Sequence, residues 1–544
     1  MNYLRFKKLK KFIFGIIICL TLAFAAIIAY LFYLEPILKT YIAHKASKYH
    51  IKLQPNKIGI SGAIDISNQF LSIDKLTDVF IESAKIRPPL PFLPGFATAK
   101  NIKITNNNFT IIIPTANIDN IAKNSKLSTV SNKLYKYNIQ DISIPKATII
   151  YRDKNHLEHN INITNINISN IKNGNIQSIN SDKIYVQLPY YEQLNKLSPT
   201  FTSNANVTAT IFSSTIKNLN LANITYIWNG GEDSINKQLW QNIQASKLNF
   251  KICENENCAL ILRAQNVNIG TFLLKPFTAG IKSIIKKVND DNYKDTLNII
   301  KHIKKIGLSL DDIFIHTPQS DLKLDKLEIR PNNWEKIIPY NLLLNFNNLN
   351  FTNLNILKDK NILEPATYKN LKLSAKLKFN YNKAKQNFAL DNLDININNV
   401  SKLHLSFDSF NVNDKLFDLD EQIALNLKDN VTLHKLAVTY IDGGFIESII
   451  NWLSIKNNLN KEDVQTLVYA ILEKSPPLLL HNKLFGEIIG AKLLYIAQKP
   501  QSFSLEATSK SGDGLKFNEF LNDNTATINS ISEKMNLHID DKYL

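Results

Sequence analysis

Leu371-Lys372-Leu373-Ser374-Ala375-Lys376-Leu377-Lys378-Phe379 sets apolar side chains at every second position, with lysine or serine between them. Successive side chains of a strand point to opposite faces, so this segment has one apolar face and one wet face. The same period governs Ile102-Lys103-Ile104-Thr105, Asn160-Ile161-Asn162-Ile163-Thr164, Ile184-Tyr185-Val186-Gln187-Leu188 and Leu322-Lys323-Leu324-Asp325-Lys326-Leu327, and it dominates the chain from Ile51 onward. Turn signals between such segments are Asn-rich, as in Asn106-Asn107-Asn108 and Asn173-Gly174-Asn175, which suit hairpins and meanders. The expected fold is mainly β (α+β), largely antiparallel.

Helical spacing is confined to a few places. Leu273 to Val288 puts Phe277, Ile281, Ile284, Ile285 and Val288 on one face, and Asp290 to Ile306 does so with Leu297, Ile300 and Ile303. The pair predicts a helical hairpin inserted between two sheet regions. A second helical set begins after Asp442-Gly443-Gly444, where a strand must turn sharply into a helix and glycine permits the backbone. It continues from Asn460, an N-cap with Asp463 in the first turn, and a third helix runs from about His481 to Gln498, between Pro476-Pro477 and Pro500. Roughly twenty strands therefore face only about five helices able to cover them. The remaining apolar surface needs sheet-on-sheet packing, as in a sandwich, or a long curled sheet whose concave face is covered partly by lipid; alternation alone does not separate the two.

Before the strands, Phe12 to Leu34 is an unbroken apolar run of 23 residues entered through Arg5, Lys7, Lys8, Lys10 and Lys11. Such a run spans a bilayer core of roughly 30 Å, and its basic flank stays cytoplasmic. The rest then lies across the membrane, in the periplasm of a Gram-negative cell. Ala23-Phe24-Ala25 also fits a signal-peptide cleavage site, but Ile27 to Leu34 continue the apolar run and favour a retained anchor.

The chain is rich in Asn, Ile and Lys and carries a net charge of +17. We read that composition as the codon bias of an AT-rich genome. The lysines are scattered along alternating strands without aromatic clustering, so no nucleic-acid partner is expected. Cys19 falls in the apolar run; Cys253 and Cys258 would face each other across a hairpin mouth, as a disulfide or as a free buried pair. Glycosylation sequons such as Asn162-Ile163-Thr164 are expected by chance in so Asn-rich a chain.

From the anchor to about Thr115 the arrangement resembles AsmA-like proteins, an inner-membrane-anchored periplasmic family related to repeating β-groove lipid-transfer proteins. A single span leads to a short amphipathic segment (Tyr41 to Tyr49), then Ile58-Gly59-Ile60-Ser61-Gly62-Ala63-Ile64-Asp65-Ile66 and Val79-Phe80-Ile81-Glu82-Ser83-Ala84-Lys85-Ile86. A Pro-rich crossing at Pro88 to Pro94 and the pair Ala99-Lys100-Asn101-Ile102-Lys103-Ile104 and Phe109-Thr110-Ile111-Ile112-Ile113 follow. The C-terminal third, through Leu436 to Phe445 and Lys499 to Ala507, resembles a group of exported proteobacterial proteins with no assigned activity. The first resemblance implies a protein that helps move or organise phospholipid or another amphiphile between membranes, without covalent chemistry. Acyl chains would then cover the inward apolar side chains.

The chemistry-bearing motifs are few. No Gly-rich phosphate loop, Ser nucleophile elbow or His-Glu-x-x-His pattern occurs in the sequence. In His156-Leu157-Glu158-His159 the two histidines point to opposite faces of a strand, and Asp408, Asp414, Asp418, Asp420 and Glu421 lack the EF-hand glycine. No catalytic residue, metal or cofactor is expected. The expected organisation is 1–34 tail and anchor, 35–270 β-rich region, 271–307 helical hairpin, 308–441 second β-rich region and 442–544 helical and strand module. The leading reading is an inner-membrane-anchored periplasmic protein that binds lipid or shapes the envelope, with Ile161 and Ile163 as lipid-facing candidates. An envelope scaffold or protein-interaction module without a groove is the alternative, and an exported hydrolase comes third.

Overall fold

The computed structural model describes residues 40, 44, 55–58, 63–72, 77–89, 94–106, 109–123, 137–152, 158–189, 206–254, 257–288, 299–318, 320–334, 336, 338–352, 372–398, 400–418, 430–479, 483–498, 501–512, 514–516 and 533–543. It is mainly β, antiparallel throughout, with few helices. The chain packs as two units, Met1–Pro189 and Tyr190–Leu544. Among the described residues no helix is long and apolar enough to cross a membrane, and the expected span from Phe12 to Leu34 lies outside them.

The first unit is a meander of β1 (Pro55–Ile58), β2 (Ile64–Ser72), β3 (Thr77–Arg87), β4 (Gly95–Asn106), β5 (Phe109–Lys123), β6 (Tyr137–Arg152), β7 (Glu158–Lys172) and β8 (Asn175–Pro189), each paired with the next. Asn173 and Gly174, at φ 53° and 76°, make the tight turn that the sequence placed between β7 and β8.

The second unit contains β9 (Asn206–Asn220), α1 (Leu221–Trp228), β10 (Lys237–Trp240), β11 (Asn242–Glu254), β12 (Asn257–Ile269), β13 (Phe272–Leu274), α2 (Gly280–Val288), β14 (Ile303–Lys305), β15 (Leu308–His316), β16 (Asp321–Asn332) and β17 (Asn341–Thr352). There follow β18 (Lys372–Asn382), β19 (Asn387–Ile397), β20 (Ser401–Phe410), β21 (Thr432–Asp442), α3 (Phe445–Asn457), α4 (Lys461–Leu479), α5 (Lys483–Gln498), β22 (Gln501–Ser509), β23 (Leu515–Lys516) and β24 (Met535–Tyr543). Its main ladder runs β9, β11, β12, β15 and then consecutively to β22 and β24. The short strands β10, β13 and β14 form a side ribbon that rejoins it at β16.

This pairing corrects the expectation of a plain helical hairpin. The segment 271–307 is not a plain helical hairpin: Phe272–Leu274 and Ile303–Lys305 are strands, the helix starts only at Gly280, and residues 299–302 are helical. Residues 289–298 of the second predicted helix lie outside the described residues. The ladder also passes the expected boundaries at 270 and 441 without a break, because β12 pairs with β15 and β21 pairs with β22. Helical periodicity in 273–288 was real only downstream of Gly280; the segment before it finds backbone partners in β10 and β14, which outweigh local spacing. Pro476 and Pro477 precede α5 as expected and sit inside the last turns of α4.

Strict alternation, the basis of the strand assignments, is broken along shared lines. On β7 the isoleucines stand at 161, 163, 166, 168 and 171. Asn165 and Asn170, which lie within the two three-residue steps, have φ 52°. A left-handed residue in a strand acts as a bulge and shifts the alternation by one, so isoleucines on both sides of the step stay on one face. Among the described residues, twelve of the fifteen non-glycine residues with positive φ are asparagine. Asn68, Asn101, Asn120, Asn218, Asn266 and Asn348 also lie inside strands, joined by Ser213 and Asp312. Asparagine tolerates this conformation better than other side chains with a Cβ.

The neighbouring strand makes a matching step, so register is conserved. Ile81 pairs with Ile102 and Ser83 with Lys100 on either side of Glu82 and Asn101. Asn101 donates its amide to Glu82, Asn165 to Asp182 at 2.5 Å, Asn170 to Gln177 at 2.5 Å and Asn348 to Asp325 at 2.7 Å. Pro114 and Pro145 occupy the same line on β5 and β6, where the ladder between Ile112–Thr148 and Asn117–Ser143 has no paired residues.

Candidate functional site

Carried across the strands, these steps align apolar residues into rows. Leu71, Val79, Ile104, Ile111, Ile149, Ile161 and Val186 form one unbroken row from β2 to β8. Ile64, Ile86, Ala97, Ile118, Ile142, Ile168 and Ile179 form a second. Between them Ile163 pairs with Ala147 and Ile184, and beyond them Ile121, Ile139, Ile171 and Ile176 make a shorter row. Ile161 and Ile163 therefore lie side by side near the middle of a continuous isoleucine face. They are half-buried.

This face is the more enclosed one. Ile66, Val79, Ala84, Ala147 and Ile176 are buried on it, and so are Gln69, His159 and Ser181. Gln69 pairs with Ile81 and His159 with Tyr151, which puts both on the apolar register. Charged side chains keep to the other register: Asp65 pairs with Lys85, Lys146 with Thr164 and Thr164 with Lys183. A depression of about 470 Å³ over β2–β5 is lined by polar residues, among them Asp65, Ser67, Lys85 and Lys100, and also by Ile66, Ala84 and Ala99.

What covers the apolar face differs between the units. Every buried hydrophobic cluster among the described residues belongs to the second unit. There α1 and α2 bury Ile227, Leu274, Phe277 and Ile284 over the side ribbon. Tyr340, Tyr381 and Phe417 pack ring against ring at 4.7–5.3 Å over β18 and β19. The helices after β21 form their own core around Ile446, Ile450, Val464 and Val468. In the first unit Ile66, Val79, Ala84, Ala147 and Ile176 are buried on the isoleucine face and the other described isoleucines of β6 and β7 on it are half-buried, with no described helix packed on them.

The polar candidates are accounted for structurally. Cys253 and Cys258 pair across β11 and β12 and are joined by a disulfide. His159 is buried beside Tyr151, at 5.5 Å between ring centres, and Glu158 forms an ion pair with Arg152 at 2.9 Å; His156 lies outside the described residues. Asp408 accepts from Asn387 at 2.5 Å. Asp414 is bonded to Lys383 at 3.0 Å and Tyr340 at 3.2 Å, and the lysine, foremost, holds its carboxyl below the usual range. Asp420 and Glu421 lie outside the described residues. Asp442 is buried at the start of α3 and accepts from the Phe445 amide at 2.8 Å, while Gly444 takes φ 109°. That is the strand-to-helix turn predicted for Asp442-Gly443-Gly444. Burial, and then the Asp442 charge beside it, pushes the Tyr440 phenol far up. Among the described residues no group of His, Cys, Asp and Glu could hold a metal ion.

The line of left-handed asparagines escaped the sequence reading, although it left a trace: each of Asn101, Asn120, Asn165, Asn170, Asn218, Asn266 and Asn348 is followed directly by Ile, Leu or Val. Compared with known protein families, curated proteins and solved structures, the chain matches none.

Proposed function

We propose that the protein carries or holds a membrane amphiphile on the isoleucine face of its first unit, without catalysis, from a position in the bacterial envelope set by the apolar run Phe12 to Leu34. The observation that carries this reading is the pair of unbroken apolar rows across β2–β8, enclosed on one side and without a described hydrophobic cluster of its own. Acyl chains laid on such a face gain roughly 0.8 kcal/mol per buried methylene, and a carrier needs no polar catalytic group there. The resemblance to AsmA-like proteins in the order of anchor, strands and Pro-rich crossing supports the same reading. The aromatic and helical clusters that cover parts of the second unit favour a scaffolding role for that unit.

Site-specific photocrosslinking in cells tests the proposal with the intact chain. Replacing Ile163 by p-benzoylphenylalanine should yield lipid adducts detectable by mass spectrometry, whereas the same replacement at Asn162, on the opposite register, should not. Adducts from position 163 only to polypeptide would replace the carrier by the scaffold. The pair Ile161→Asp and Ile163→Asp should then abolish lipid recovery and leave a folded protein. Unfolding by the same pair would mean that these residues pack against protein.

A further inference from the structure

The cap formed by α1, α2 and the side ribbon is locked from within. Ile227, Leu274 and Ile284 are 0–1 % exposed. A Cβ on Gly280 would stand 2.5 Å from the Gly230 nitrogen and 2.9 Å from the Trp228 carbonyl oxygen, so the end of α1 and the start of α2 meet at a distance only glycine allows. The surface of this cap is apolar where it need not be. Leu221 and Trp228, two helical turns apart on one face of α1, are 40 % and 41 % exposed, and Ile235 in the following loop is 65 % exposed. Tyr226 beside them has the Lys237 ammonium 5.6 Å from its ring centre.

The same cap, whose elements share one buried cluster, also carries exposed cations. Lys275, Lys282, Lys301 and Lys305 are exposed, and none has a carboxylate in ion-pair reach among the described residues. The segment 271–307 holds eight lysines and three aspartates. The nearby Asp233 is already neutralised by Lys237 at 2.8 Å, and that hydrogen bond, foremost, lowers its pKa. Indole and aliphatic groups seat at headgroup depth in a bilayer, and unpaired ammonium groups beside them meet lipid phosphates.

We infer that this cap is a contact surface for an anionic phospholipid bilayer, with Leu221, Trp228 and Ile235 entering the headgroup region and Lys275, Lys282, Lys301 and Lys305 facing its phosphates. The contact is separate from the isoleucine face of the first unit and stands whether or not that face holds lipid. It gives the second unit a membrane attachment of its own.

The full chain reconstituted in vesicles tests the inference through tryptophan quenching by brominated phosphatidylglycerol, placed either in the carrying vesicle or in added vesicles. In at least one arrangement fluorescence should be quenched, and the quenched component should disappear in Trp228→Phe. Brominated phosphatidylcholine should quench weakly, and Lys282→Glu with Lys301→Glu should weaken binding at least about tenfold with the far-ultraviolet circular dichroism unchanged. Absence of Trp228-dependent quenching in both arrangements would overturn the inference, as would equal quenching by the double charge reversal. Protection of Trp228 by an acidic protein in the absence of vesicle quenching would assign the cap to a protein partner instead.

Discussion

Substitutions at Asn165 measure the left-handed step directly. Asn165 has φ 52° and gives its amide to Asp182 at 2.5 Å, both side chains being exposed. Alanine has the same Cβ but lacks the short polar side chain that lets asparagine bear the left-handed backbone, at a cost of about 1–2 kcal/mol, and it also loses the amide bond, which contributes at the low end of about 0.5–1.5 kcal/mol in water's presence. Glycine loses the same bond and about 0.5–1 kcal/mol of chain entropy, but adopts the backbone without strain. Asn165→Ala should therefore cost about 2 kcal/mol and Asn165→Gly about 1 kcal/mol, with Asn165→Val worse than either. Hydrogen exchange followed by mass spectrometry on peptides of 158–189 reads these differences locally, which matters because all four tryptophans lie in the second unit. Asn162, three residues earlier with ordinary strand backbone, is the control: there alanine should be tolerated better than glycine. An Asn165→Ala protein as stable as Asn165→Gly would refute the account of how the isoleucines reach one face.

Reducing the Cys253–Cys258 bond, or replacing both by serine, should destabilise by about 2 kcal/mol on the chain-entropy scale, because the closed loop is short, with a sequence separation of 5. The difference appears as a lower thermal midpoint in reductant for the native chain and none for the double serine variant. The Asp414 carboxyl has a folded pKa below its unfolded value, so its contribution is present above about pH 4 and is lost as pH falls through the lowered value. Asp414→Asn should thus reduce stability at neutral pH by less than about 1 kcal/mol and leave it unchanged in strong acid, as checked by urea unfolding at the two pH values.

Much of the local structure was legible in the sequence. Alternation in Leu371–Phe379 announced β18, Asn173-Gly174 announced the β7–β8 hairpin, and Asp442-Gly443-Gly444 and Asn460 marked helix starts that the structure places where expected. The asparagines were legible only in part. Their abundance looked like genome composition, and a three-residue step such as Ile163 to Ile166 looks within one strand like noise or a turn. Likewise the spacing around Phe277 fitted a helix although Phe272–Leu274 pairs in a ribbon.

The sequence by itself determined that this chain forms antiparallel strands with one apolar side, because side-chain direction along a strand is a local property of the backbone. Whether the apolar sides of successive strands join into one face was decided by tertiary structure. That depends on Asn101 standing opposite Glu82 and Asn165 opposite Asp182, partners 17–19 residues distant, and on register that only the assembled ladder fixes. Coverage was decided there as well, since the contacts that bury Tyr340, Tyr381 and Phe417 in the second unit join segments far apart in the chain, which no local period encodes.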